Sequence, residues 1–204
     1  MKKRKLLLAA LAFLFILGIG STIAYLTDTT DVKTNTFTIG GVEIELNEDA
    51  WDDGYGDNPV ALVPGQQVTK DPVIKNTGDV PAYVFIKVVE PCVNGKKVFT
   101  YTINSSWSTV TAGTCSGDTD ATSVYAYGSS SAMTELAEDA TTPALFNGST
   151  NQVTLNQNLD NTDIEELRGR DATDHTVDMT LTGYGIQKEN VTGTPSSIWG
   201  ANFS

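Results

Sequence analysis

Chemistry at neutral pH needs side chains that titrate, attack or ligate, and this chain of 204 residues holds few of them. Its one histidine is His175, preceded by Asp174. A hydrolytic triad needs a nucleophile beside a base that titrates near neutrality, and a zinc hydrolase of the HExxH type needs two imidazoles one helical turn apart. The second design is excluded by count, and a lone histidine in a hydrophilic stretch reads as solvated. GxSxG, GxxxxGK[ST] and GxGxxG are absent, so neither a nucleophile elbow nor a phosphate-cradling loop is present. Asp52, Asp53 and Asp57, within WDDGYGDN, could gather hard oxygens around Ca²⁺, although their spacing is not that of an EF-hand and an acidic solvated turn is the plainer reading. Trp51, Tyr55, Trp107 and Trp199 form either an exposed aromatic patch or caps on a small core. No catalytic residue and no cofactor other than that weak calcium candidate follows from these residue types.

The formal charge is −12, and all four cations of the first 24 residues come without one acid. The remainder therefore sets nine bases against 25 acids, a balance of −16. Such a chain does not suit nucleic acid. Met1 to Lys5 is a basic head, Leu6 to Gly20 an apolar run, and GSTIA at Gly20 to Ala24 a small-residue stretch. That order is a signal peptide, with Thr22 and Ala24 fitting the shallow pockets of a signal peptidase and cleavage falling between Ala24 and Tyr25. The alternative is an uncleaved anchor, since Leu6 to Leu26 holds no charge and is long enough to span the hydrocarbon. Either way the later residues emerge outside the cytoplasm, and the membrane is met only through the leader. Cys92 and Cys115 lie in the exported part, where an oxidising compartment lets them pair; two reduced thiols are the other reading.

The elements that would position these residues are mostly strands. Phe37 and Ile39 alternate with polar residues, then Val42, Ile44 and Leu46 do so in the opposite phase, with Gly40-Gly41 absorbing the change. Val63-Pro64-Gly65-Gln66 has the form of a type II turn, and Val68 to Lys75 follows as a strand. Asn76-Thr77-Gly78-Asp79 reads as a hairpin, and Val80 to Glu90 as the strongest strand, apolar on both faces and so central. Asn94-Gly95 is another turn, before a strand over Lys97 to Ile103. Val110, Val124 to Tyr127, Ala144 to Phe146, Gln152 to Leu155 and His175 to Gln187 are further strand candidates. Helix signals are sparse: a capping box at Thr162-Asp163-Ile164-Glu165, closed by Gly169, and one turn at Met133 to Glu138. Eight or nine short strands imply an all-β fold, a single antiparallel sandwich of jelly-roll or immunoglobulin-like kind behind the signal helix. The chain divides into a signal peptide over 1–24, an extended segment over 25–36 and a β-sandwich over 37–204.

Thr22 to Asp28, followed by Asn35-Thr36-Phe37-Thr38-Ile39-Gly40, resembles the start of the camelysin and TasA-type family of Gram-positive exported proteins. The likeness continues through Leu62-Val63-Pro64-Gly65 with Val68-Thr69-Lys70-Asp71, Lys75-Asn76-Thr77-Gly78, Tyr125-Ala126-Tyr127, Thr142 to Phe146 and Ala172 to Gln187. The resemblance implies a jelly-roll-like sandwich at the cell surface, processed by a SipW-type signal peptidase and assembling into biofilm matrix fibres. It also implies that the segment at the mature N-terminus adds a strand to the next subunit. Tyr25 to Ile39 is the expected donor region, and Tyr25 to Phe37 within it fits physically: it is Thr-rich and extended-prone, with few apolar anchors, while an open sheet edge offers main-chain partners. A disordered linker is the alternative for that stretch. Camelysin is described as a surface metalloprotease, so a secreted metal-dependent peptidase stands as the alternative function, with a monomeric surface binding module as the third. The Cys pair and the Ser/Thr-rich region from Ser105 to Ser131 depart from the family pattern.

Overall fold

The alternation at Val42, Ile44 and Leu46 becomes strand β1 (Ile44–Asn47) in a computed structural model that describes residues 41–54, 60–147, 151–171, 173 and 175–204. The signal peptide, the Ala24/Tyr25 cleavage pair, the whole of the proposed donor stretch Tyr25 to Ile39 and Asp57 lie outside the described residues. Ile39–Ser204 forms one compact unit. After β1 come the short helix α1 (Asp49–Gly54), β2 (Gln67–Thr69), β3 (Val73–Asn76) and β4 (Ala82–Glu90). Five shorter elements follow: β5 (Cys92–Val93), β6 (Lys96–Lys97), β7 (Phe99–Thr100), β8 (Thr102–Ile103) and β9 (Trp107–Thr111). Then come β10 (Ala121–Tyr127), β11 (Phe146–Asn147), β12 (Gln152–Leu155), helix α2 (Asn161–Arg170), β13 (Thr180–Gln187) and helix α3 (Pro195–Asn202).

Among the described residues every strand pairing is antiparallel. The largest sheet has the order β13-β4-β10-β9; the others are β2-β12-β7 and the pairs β1-β3, β11-β8 and β5-β6. β4 lies between two neighbours, as its two apolar faces require. Val84, Ile86 and Val88 face the main core, whereas Phe85 faces a second cluster on the other side of the sheet. Residues two apart point to the same face, so one strand serves both layers.

On the main-core side, the β1-β3 pair lies over β13 at its glycines. A Cβ placed on Gly185 would stand 3.0 Å from Ile44 Cγ2 and 3.2 Å from Val42 Cγ1, so the missing side chain is what lets the layers approach. On the opposite side, α3 covers Phe85, with Trp199 and Phe203 ring centroids 5.4 and 5.7 Å from it and Tyr184 5.0 Å from Trp199. Thr194 caps α3 by accepting the Ser197 N–H, and Pro195 occupies the first turn, where no N–H is required.

Several sequence expectations are corrected. Asn76 to Asp79 is not a hairpin, because β3 pairs with β1 and the chain passes to another sheet. The Asn76 carboxamide accepts the Gly78 N–H and donates to the Val80 and Leu136 carbonyls, stitching the crossing. A Cβ on Gly78 would lie 2.6 Å from the Glu43 nitrogen, which explains the glycine. The stretch Val68 to Lys75 is broken by Asp71-Pro72 into β2 and β3, in different sheets. Lys97 to Ile103 is likewise divided among β6, β7 and β8. The capping box belongs to Asp160 and Asp163, and α2 runs through Gly169 to Arg170. Met133 and Leu136 make isolated bridges to Gly128 and Ala82 instead of a helical turn. The turns at Val63 to Gln66, with Gly65 at φ 86°, and at Asn94-Gly95, with φ 49° and 75°, form where their sequences place them.

Candidate functional site

The side-chain cluster with the most chemical potential grows from β4. Val84, Ile86, Val88 and Glu90 share its inward phase, so the sheet carries a carboxylate into a position otherwise held by valines and isoleucine. Glu90 is wholly buried. Its Oε1 accepts from the Lys97 ammonium and from the Tyr101 hydroxyl at 3.0 Å. Its Oε2 has no hydrogen-bond partner among the described residues. Burial raises the Tyr101 phenol far above its ordinary value, with Tyr125 and Glu90 adding to the effect, so Tyr101 stays protonated and donates.

Lys97 and Tyr101, which screen this carboxylate from solvent, join Phe99, Thr109, Ser123 and Tyr125 in lining an open cleft of about 290 Å³. β10 presents Ser123 and Tyr125, β9 presents Thr109, and the β6 to β8 stretch supplies the opposite wall. The Ser123 hydroxyl accepts the Gly113 N–H at 3.0 Å, which leaves its own proton for a second partner. Cys92 and Cys115 are joined in a disulfide. Cys92 stands opposite Lys97 in the β5-β6 hairpin, and Cys115 lies in the β9–β10 connection. The bond therefore ties together the two hairpins that flank the cleft.

The other residues singled out by sequence do not converge. Asp52 and Asp53 are exposed on α1, whose first turn is held by Asp71 accepting the Ala50 and Trp51 N–H groups. Among the described residues, no group of three His, Cys, Asp or Glu side chains is placed to hold a metal ion. His175 is exposed, with φ 56°, and its Nδ1 lies 2.8 Å from the Arg168 carbonyl at the end of α2. The tryptophans occupy three separate places: Trp51 beneath Lys70, Trp107 in the main core against Tyr127, and Trp199 on the opposite face of the sheet. Among the described residues no helix is long and apolar enough to cross a membrane.

Two further carboxylates are shifted from their ordinary values. Asp163 is held down at about 2 by the Lys96 ammonium at its Oδ2, helped by Asn94 and the Asp160 N–H. Glu48 is pushed up by burial, which outweighs its contact with Lys70 at 3.0 Å. The sequence signal for the Glu90 cluster is a carboxylate in phase with three apolar residues, which matches no catalytic or metal-binding motif. No family model, curated protein or solved structure matches this chain.

Proposed function

We propose that the protein is an exported structural subunit of the cell surface or biofilm matrix, built as a jelly-roll-like β-sandwich. Its N-terminal stretch, Tyr25 to Ile39, adds a strand to the next copy, after a SipW-type peptidase has removed the leader. The observation that carries this reading is the state of the largest sheet's edges. Among the described residues β13 and β9 terminate the order β13-β4-β10-β9; neither TLTGYGIQ nor WSTVT contains a charge or a proline, and β9, unlike β13, meets its neighbour with a register shift. Natural sheets blunt their edges with such residues or with bulges and coverings, because a bare row of N–H and C=O groups pairs with any extended chain. Among the described residues no strand pairs with the outer side of the eight-residue β13, and such an edge suits a protein that takes a strand from a neighbour. A head-to-tail contact of that kind propagates without closing and so gives a fibre.

The test is sedimentation and electron microscopy of the exported protein with and without Tyr25 to Thr36. Filaments that disappear with the deletion are expected. Filaments that persist, or a wild-type protein that stays monomeric, contradict the proposal. Chelator-sensitive casein cleavage surviving rigorous purification, with metal bound in stoichiometric amount, would favour the peptidase reading instead.

A further inference from the structure

We infer, as an extension that rests on the strand addition proposed above, that β9 is the receiving edge and the cleft beside it seats an apolar side chain of the incoming strand. The occupant is the Tyr25 to Ile39 segment of a second copy. β8 leads into β9 through a tight turn in which the Trp107 N–H donates to the Asn104 carbonyl, yet the two strands belong to different sheets. The layers part there, and the cleft is the gap between them. Phe99, Tyr101 and Ile103 of the β7 to β8 stretch line one side, Thr109 and Ala112 the other, and Tyr125 of β10 joins them. An apolar side chain brought into this gap of about 290 Å³ leaves water and gains dispersion contacts. Strand addition draws affinity from main-chain hydrogen bonds and specificity from pockets for alternate side chains. Thr109 and Tyr125 are cross-strand partners that both line the cleft, so a strand laid along β9 turns every second side chain toward it. The extra residue at the register shift is Val110, and Trp107 to Thr109 keep a regular ladder with β10.

β13 is the longer edge, but its inward glycines, Gly183 and Gly185, already lie beneath Ile44 and Val42 of the same chain. The segment also begins at that side. Gly41, whose N–H donates to Asp79, adjoins Val42 over β13, whereas β9 ends the sheet three strand spacings away, about 14 Å. The 16 residues from Tyr25 to Gly40 span about 50 Å when extended, enough to reach a neighbouring copy. A donor that leaves at one edge and an acceptor at the opposite edge make a head-to-tail contact, which repeats from copy to copy.

The experiment mixes two exported variants, each lacking one half of the contact. Deletion of Tyr25 to Thr36 leaves an acceptor without a donor. Ala112→Trp, which fills the cleft from an exposed position beside β9, leaves a donor without an acceptor. Neither variant alone should form filaments, and analytical ultracentrifugation of the mixture should show a one-to-one complex absent from either component. Thr109→Trp, from the same side of the cleft, should behave as Ala112→Trp does and serves in its place if that variant fails to fold. The folded tryptophan variant should keep the wild-type thermal midpoint, which separates a blocked cleft from a lost fold. Filaments formed by a folded tryptophan variant overturn the assignment to β9 and leave strand addition to β13. A mixture that stays monomeric overturns the assignment too. Filaments that survive the deletion, or a monomeric wild type, overturn strand addition itself.

Discussion

Reducing the bond between Cys92 and Cys115 removes a constraint whose size follows from the loop it closes. The two residues are 23 apart in sequence, and the chain-entropy relation gives about 3.4 kcal/mol at 25 °C for a loop of that length. Native domains are stable by about 5–15 kcal/mol, so this one bond is a large share of the total. Cys92 is wholly buried in the β5-β6 hairpin and Cys115 sits in the β9–β10 connection, so the cross-link joins parts of the fold that no shared sheet connects. Urea unfolding of the same protein, oxidised and then reduced, measures the loss without altering a side chain in the core. The midpoint should fall, and the denaturant slope should rise because the reduced unfolded chain exposes more surface. A Cys92→Ala, Cys115→Ala double variant should give a similar or larger loss, since it also empties buried volume. A loss below about 1 kcal/mol would refute the loop-entropy reasoning, and two titratable thiols in the exported native protein would refute the bond itself.

Gly185→Val should destabilise the fold by about 1–3 kcal/mol, because the added carbons meet Ile44 of the overlying β1 and Val42 just before it; differential scanning calorimetry should show the drop, and Ile44→Ala should restore part of it. Lys97→Met strips the cation from a wholly buried carboxylate and should cost about 3 kcal/mol in urea unfolding, more than Glu90→Gln, which removes the charge that needs the partner. Asp163, held at about 2 against an ordinary 3.8, contributes stability that is complete above pH 4 and lost as pH falls through 2. Unfolding curves for wild type and Asp163→Asn should therefore converge on acidification across that window. Glu48 runs the other way. Its raised value gives a contribution that is full below 4.5 and lost as pH rises, so wild type should lose ground to Glu48→Gln on passing upward through that region.

What the sequence made legible was local or periodic. The two-sided apolar pattern of Val80 to Glu90 placed β4 in the middle of a sheet, and Pro64-Gly65 and Asn94-Gly95 turned where their backbone preferences require. Pairing partners were not legible, since Asn76 to Asp79 has a hairpin's residues yet connects strands of different sheets. Which strand β3 meets depends on β1 arriving from 30 residues upstream, and no local signal encodes that. Helix α3 escaped because its burial is carried by a few side chains, such as Ile198 and Trp199, in only eight residues. The Glu90 cluster was half visible. Glu90 stands in phase with the core residues before it, but Tyr101 reaches it from the link between β7 and β8, through a contact that only the folded chain creates.

Strand addition at an open edge is tested most directly by hydrogen exchange of the exported protein before and after it assembles. The outward N–H groups of β13 or β9 should exchange fast in the free subunit and slowly in the fibre, at alternate residues along the edge, as ladder pairing requires. Unchanged exchange along both Thr180–Gln187 and Trp107–Thr111 in assembled material contradicts it.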